Sequence, residues 1–167
     1  MKHSAIQQYD YHQWANNRFF EHLKQLPAGL YTQEVESVFS SIAEVISHIY
    51  RVDGMWLSVM SGDSFEETMQ VIKKLETQSD GKGLELMQRL NEALAQRYAT
   101  FFKQQDPDEI ISVEHPRYGA LETSVANLVQ HVVNHGTYHR GNITAMLRQQ
   151  GEAGIPTDYV FYLYEQT

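Results

Sequence analysis

"ETSVANLVQHVVNHGTYHRGNITAMLRQQG", residues 122–151, is the stretch on which the reading of this chain turns. Its apolar residues recur at helical intervals and Gly151 closes it, so the pattern predicts one long amphipathic helix. It also carries His131, His135 and His139, one at every fourth position. With His135 at zero and an advance of about 100° per residue, His139 lies near +40° and His131 near −40°. On the same wheel Val125, Leu128, Val132, Ile143 and Met146 fall at roughly +20° to +80°. His139 is therefore inside the apolar arc, His135 at its edge, and His131 farther toward solvent. Side chains four residues apart stack on one face and can converge on one ion. The outer two of the three are two turns, about 12 Å, apart and cannot. One helix thus offers two ligands, His135 and His139, and a third must come from another segment.

Three further segments have the same period. "SAIQQYDYHQWANNRFFEHLKQL" (4–26) places Ala5, Tyr9, Phe19, Leu23 and Leu26 at helical spacing, with Pro27 and Gly29 to end it. "SSIAEVISHIYRVDGMWLSVM" (40–60) opens on Ser41 with Glu44 three residues on, a capping-box pattern. "GLELMQRLNEALAQRYATFFKQQ" (83–105) lines up Leu86, Leu90, Leu94, Tyr98 and Phe101. "TMQVIKKLETQSD" (68–80) is weaker and predicts at most a short helix. "IISVEHPRYGAL" (110–121) reads as two short extended runs about a Pro/Gly turn. "IPTDYVFYLYEQT" (155–167) reads as a loop and a short helix. Four long amphipathic helices and one hairpin-like excursion before the last of them predict an all-α four-helix bundle in a single domain, 1–167.

Two histidines compete to be the third ligand. With His48 at zero, Val45, Val52, Met55, Trp56 and Val59 fall between about −20° and +80°, so His48 lies on an apolar stripe. His12 shares its face with Ala5, Tyr9, Phe19 and Leu23. His3, His22 and His115 sit at the terminus, on a polar face and in a turn. A lone inward imidazole is ordinarily a core residue bonded to a tyrosine or carboxylate. Several together need a partner for every nitrogen, and a shared metal provides one.

Composition narrows the chemistry. The chain has 8 histidines and no cysteine, so disulfides, thiolate metal sites and a protein-borne Cys nucleophile are excluded. Its formal charge is −8, from 13 basic and 21 acidic residues, and no basic run exceeds two, which argues against a nucleic-acid partner. Hydrophobic residues make up 42%, enough for a core, and the 10 tyrosines suggest buried rings with polar tips. The N-terminus lacks an apolar signal region, and no stretch approaches the length of a membrane span. A cytoplasmic location with no membrane partner is the expectation.

"LVQHVVNHGTYHRGNI" (128–143) resembles the histidine signature of the DinB (damage-inducible) family, within the DinB/YfiT-like metalloprotein superfamily. "YHQWANNRFFEHLKQLP" (11–27), with Trp14, Ala15 and Asn17, resembles its first helix, and "SIAEVISHIYRVDGMWL" (41–57) its second. The resemblance covers the whole chain. It implies an up-down-down-up bundle, usually a homodimer, with one divalent metal on three histidines. Carried over by position, those are His48, His135 and His139, which decides between His48 and His12. His131 matches a signature histidine that is not normally a ligand. Asn142 stands where the family commonly has Gln. The family shares its label with an unrelated DNA polymerase, and nothing here resembles a polymerase.

Three imidazoles leave positions open for water or substrate, as catalytic sites do, and suit Zn²⁺ or Ni²⁺. Gly136 stands where an H-E-x-x-H protease places its Glu, so that mechanism has no base here. His12, Glu44 or Asp53 could supply one, although Glu44 and Asp53 are expected on solvated helix faces. Arg140 is expected in a structural ion pair. Tyr9, Trp14 and Trp56 are expected in the core, and Tyr138 on the helix edge nearest the histidines. Relatives in the wider superfamily use low-molecular-weight thiols. The resemblance thus implies a metal-dependent enzyme of thiol S-transferase or hydrolase type in a stress or damage response, or else a non-catalytic metal-binding protein. Apolar faces left on the first helix and on "DYVFYLY" fit a homodimer. Metal held by three ordinary histidines should weaken from pH 7 to 5 with a limiting slope near three protons; burial would move that window lower.

Overall fold

The computed structural model describes residues 2–167. Among these residues six helices are present: α1 (Ser4–Lys24), α2 (Ile42–Met60), α3 (Phe65–Ser79), α4 (Leu84–Gln104), α5 (Val125–Gln149) and α6 (Tyr159–Glu165). A 3₁₀ turn, Ala28–Tyr31, follows α1, and β1 (Ile110–His115) pairs antiparallel with β2 (Gly119–Ser124). The fold is all-α apart from that hairpin, as the periodicity predicts.

Side-chain contacts fix the direction of each long helix. His22 near the end of α1 bonds the Ala153 carbonyl just past α5, and His12 meets Arg140, so α1 and α5 run parallel. His48 faces His135 and Trp56 faces His131, so α2 runs against α5. Tyr9 stacks on Tyr98 while Gln88 bonds Glu21, so α4 runs against α1. The order is up-down-down-up, with α1 and α2 on one diagonal and α4 and α5 on the other.

Two consecutive parallel helices need a return path, and α3 is that path. It is longer than the weak pattern at 68–80 suggests: 15 residues, opened by a capping box between Ser64 and Glu67. Ser58 meets Thr68, Tyr50 bonds Gln78, and Ser47 bonds the Ser79 carbonyl, so α3 lies antiparallel along the outside of α2. Gly54 lets it come close, since a Cβ there would stand 2.6 Å from Leu75 Cδ1. Gly62 and Gly81 take the positive φ values that the two reversals need, +86° and +63°.

The core runs through the middle of the bundle, with Ala15, Ile42, Val45, Met87, Tyr98, Val129, Val132 and Met146 all buried. Several tyrosines pack their rings inside and find partners for their hydroxyls, whereas Tyr118, Tyr138 and Tyr164 are exposed. Tyr98 donates to the Asp53 carbonyl and Tyr11 to that of Thr157. Ser124 ends β2 and caps α5 by accepting from the Asn127 amide. The hairpin therefore takes the first residues, 122–124, of the stretch read as the last long helix. α6 folds back on α1, with Tyr159 against Tyr11 and Tyr162 against Trp14. This covers much of the apolar face of α1 that the sequence left spare. Among the described residues no helix is long and apolar enough to cross a membrane.

Candidate metal centre

The antiparallel pairing of α2 and α5 sets His48 opposite His135 and His139. His48 Nε2 lies 3.0 Å from His135 Nε2. The ring centroids are 4.9 Å apart for His48 and His135, 4.6 Å for His48 and His139, and 4.3 Å for His135 and His139. One ring nitrogen from each falls within 4.8 Å of the others, and this trio is the one group of potential metal ligands among the described residues. The angular reading of α5 holds: His139 is buried, His135 half-buried and His131 exposed. His131 instead packs edge-on to Trp56 at 4.9 Å and stays out of the cluster.

The donor set fits a metal ion. Bonds of about 2.1 Å at angles of 90–109° place neighbouring ligand nitrogens about 3.0–3.4 Å apart. The facing Nε2 atoms already stand at 3.0 Å. Two neutral imine nitrogens at that distance repel unless a proton or a cation lies between them. Burial is the main cause that holds all three imidazoles below their ordinary range. His135 is pushed down to about 3, by burial first and then by its neighbours His139, His48 and His131. His48 is lowered by burial and by Arg51, and His139 by burial and by His48. The cluster therefore favours the neutral form that a metal requires.

Phe39, from the segment before α2, caps the rings, 5.2 Å from His48 and 5.3 Å from His139. Tyr138 stands 5.0 Å from His139 with its side chain exposed, at the helix edge where the sequence places it. The Asn142 amide approaches His139 Nδ1 at 3.2 Å, which leaves Nε2 of that ring for the cluster. Neither Phe39 nor Asn142 was marked by the sequence as a neighbour of the site. For Asn142 the signal was present, since it follows His139 by three residues on the same face.

His12, the rival ligand, is committed elsewhere. It is fully buried, with Nε2 2.7 Å from Asp53 Oδ2 and Nδ1 3.1 Å from Arg140 Nη1. A guanidinium only donates, so Nδ1 accepts and the ring proton sits on Nε2, donated to Asp53. This corrects two expectations. Asp53 is fully buried rather than on a solvated face. Its place on the wheel, about 140° from His48 and between Ile49 and Ile46, points inward; its charge suggested otherwise. Arg140, also buried, has no carboxylate directly on it and bonds His12, Asn16 and Thr137. Glu44 is exposed as expected. Tyr9 is buried, whereas Trp14 and Trp56 are only partly so.

Gly136 is explained by the same network. A Cβ on it would fall 2.2 Å from His12 Cε1 and 2.5 Å from His12 Nδ1. The position is reserved for the close approach of α1, and the absence of a protease Glu there follows from packing. Three imidazoles from two helices, with no carboxylate among them, form an open donor set of the kind that leaves room for further ligands.

The DinB family model matches residues 1–167. The chain is also similar to "Protein DinB" of Bacillus subtilis (strain 168), with 44% identity over 165 residues, covering 98% of this chain and 96% of that protein. A bundle of this topology with this histidine group, matched from end to end, belongs to the DinB family.

Proposed function

We propose that the protein holds one divalent ion, Zn²⁺ or Ni²⁺, on His48, His135 and His139, and uses it as a metal-dependent transferase or hydrolase. The observation that carries this is the convergence of three imidazole nitrogens to within 4.8 Å of one another, in rings whose burial favours the neutral form. When bound, such a metal lowers the pKa of a water or thiol, or polarises a carbonyl. The chain's own residues do the rest. Phe39 shields one side of the cluster from solvent, and Tyr138 presents an exposed phenol beside His139. With no cysteine in the chain, a transferred thiol has to come from outside it, which fits a low-molecular-weight thiol as co-substrate. Neither His12 nor Asp53 acts as base, because they are bonded to each other in the core.

That the candidate bases His12 and Asp53 are committed to each other in the core favours the second reading, a metal-binding protein without catalysis in a stress response. Metal analysis of protein purified without chelator tests the part common to both, with about one ion per chain expected and none taken up on titration counting against it. Turnover of a thiol or ester substrate that His48→Ala removes, with the fold intact by circular dichroism, decides between them. A cytoplasmic homodimer completes the reading. Val160, Phe161 and Tyr164, left exposed on α6, are the surface we assign to the second copy. A monomer by light scattering at micromolar concentration would sink that assignment.

A further inference from the structure

We propose that the buried chain Asp53–His12–Arg140 is the positioning device of the three-histidine centre, tying α2 to α5 through α1 in the register that brings His48 onto His135 and His139. The proposal rests on the metal reading above. Ligands drawn from two helices must meet within about 0.5 Å of a common geometry. Apolar ridges tolerate small slips, whereas hydrogen bonds of fixed length and direction do not.

The anchor points adjoin the candidate ligands. Gly136 follows His135 by one residue, Arg140 follows His139 by one, and Asp53 follows His48 by five. On α5 the ligand pair and the anchor pair thus form two adjacent rows, about 100° apart, one turn long each. His12 of α1 touches every anchor. Its Nε2 donates to Asp53 at 2.7 Å, its Nδ1 accepts from Arg140 at 3.1 Å, and its Cε1 fills the space over Gly136. Arg140 is held further by Asn16 Oδ1 at 2.8 Å and Thr137 Oγ1 at 2.9 Å. Tyr98 of α4 donates to the Asp53 carbonyl at 2.8 Å, so all four bundle helices meet here.

Both nitrogens of His12 are used, so it is neither ligand nor base. Stability alone does not account for a buried cation, anion and imidazole, because apolar residues of similar volume commonly serve a core as well or better. What the polar chain adds is direction, and the elements it directs are those that carry the candidate ligands.

The test compares His12→Ala and His12→Gln with the parent. The readouts are Zn²⁺ affinity, by competition with a chromophoric chelator, and the visible spectrum of the Co²⁺-loaded protein, which reports ligand geometry. His12→Ala should lose about tenfold or more in affinity, as expected when the support of a metal ligand is removed, and shift the Co²⁺ bands. The Gln amide can accept from Arg140 and donate to Asp53, so His12→Gln should recover most of both. An alanine variant that melts lower but keeps the parent's affinity and spectrum overturns the proposal, as does a Gln variant that recovers neither. Should His12→Ala not fold, Asn16→Ala decides by the same readouts: it removes one bond to Arg140 and leaves His12 in place. A parent protein that takes up neither Zn²⁺ nor Co²⁺ sinks the metal reading instead.

Discussion

At the scale of single residues, partner chemistry separates imidazoles that position alone does not. His12 and His48 both face inward from helices that follow one another in the chain. One finds a carboxylate and a guanidinium, the other finds two more imidazoles. Individual alanine substitutions of His48, His135 and His139 should each abolish metal uptake in equilibrium dialysis, while His131→Ala should only weaken it. Equal loss from all four would place the exposed His131 in the cluster and contradict the geometry. Asp53→Ala should be far more damaging to the fold than to any surface charge balance. It removes the acceptor of His12 and the nearby negative charge that favours the buried Arg140 cation, a change that costs about 3–5 kcal/mol for buried pairs. Glu44→Ala, one exposed carboxylate on the same helix, should stay within about 0.5 kcal/mol. Urea denaturation measures both. The α5 histidines were legible because a helical wheel and a spacing of four carry the whole argument. The choice of His48 over His12 was not legible from the wheel, since both sit on apolar faces. It needed the resemblance, and the structure then sets His48 rather than His12 beside the α5 pair.

At the scale of elements, two glycines of α5 make opposite predictions. A Cβ on Gly136 meets His12 at 2.2 Å and Arg140 Nη1 at 2.9 Å, whereas one on Gly141 meets nothing within 4 Å. Alanine should gain up to about 1 kcal/mol of helix propensity at either site. At Gly141 that gain should appear undiminished as a higher melting temperature. At Gly136 the overpacking of a fixed network, about 1–3 kcal/mol, should outweigh it and lower the melting temperature. Two variants of equal stability would mean that α1 and α5 are not in contact at His12. The long helices were readable from periodicity because each buries a broad face. α3 was underestimated for the converse reason: it buries only Thr68, Leu75 and Ser79, so its apolar pattern is thin. Its clearest signal was the capping box at Ser64 and Glu67, just upstream of the segment whose periodicity was weak. The end of β2 and the start of α5 share Ser124, and a boundary set by a cap rather than by a change of pattern shifts by a few residues.

At the scale of the whole molecule, burial of the cluster decides how the protein answers acid. An unfolded histidine titrates near its reference value of about 6.5. In the folded chain His135 is driven down to about 3, and His48 and His139 are lowered as well, all chiefly by burial. Below the unfolded value the unfolded chain therefore binds more protons than the folded one, and stability falls with pH. The contribution of these groups is fully present above about pH 6.5 and is lost as pH falls toward their folded values; for His135 the loss continues down to about 3. Metal binding follows a different course. The ion competes with protons on the folded protein, where burial lowers all three imidazoles and drives His135 down to about 3. From pH 7 to 5 His135 has almost no proton to give up, so the proton dependence of affinity should stay well short of three per metal. Ordinary histidines would give nearly three over the same interval. Melts with and without Zn²⁺ at several pH values separate the two. Both melting temperatures should drop together below about pH 6.5, with the metal-induced difference persisting to pH 5, because a ligand stabilises as far as it binds the folded state. A difference that collapses between pH 7 and 5 with a three-proton slope would mean that the imidazoles titrate as if in water, and that α2 and α5 do not bury them together.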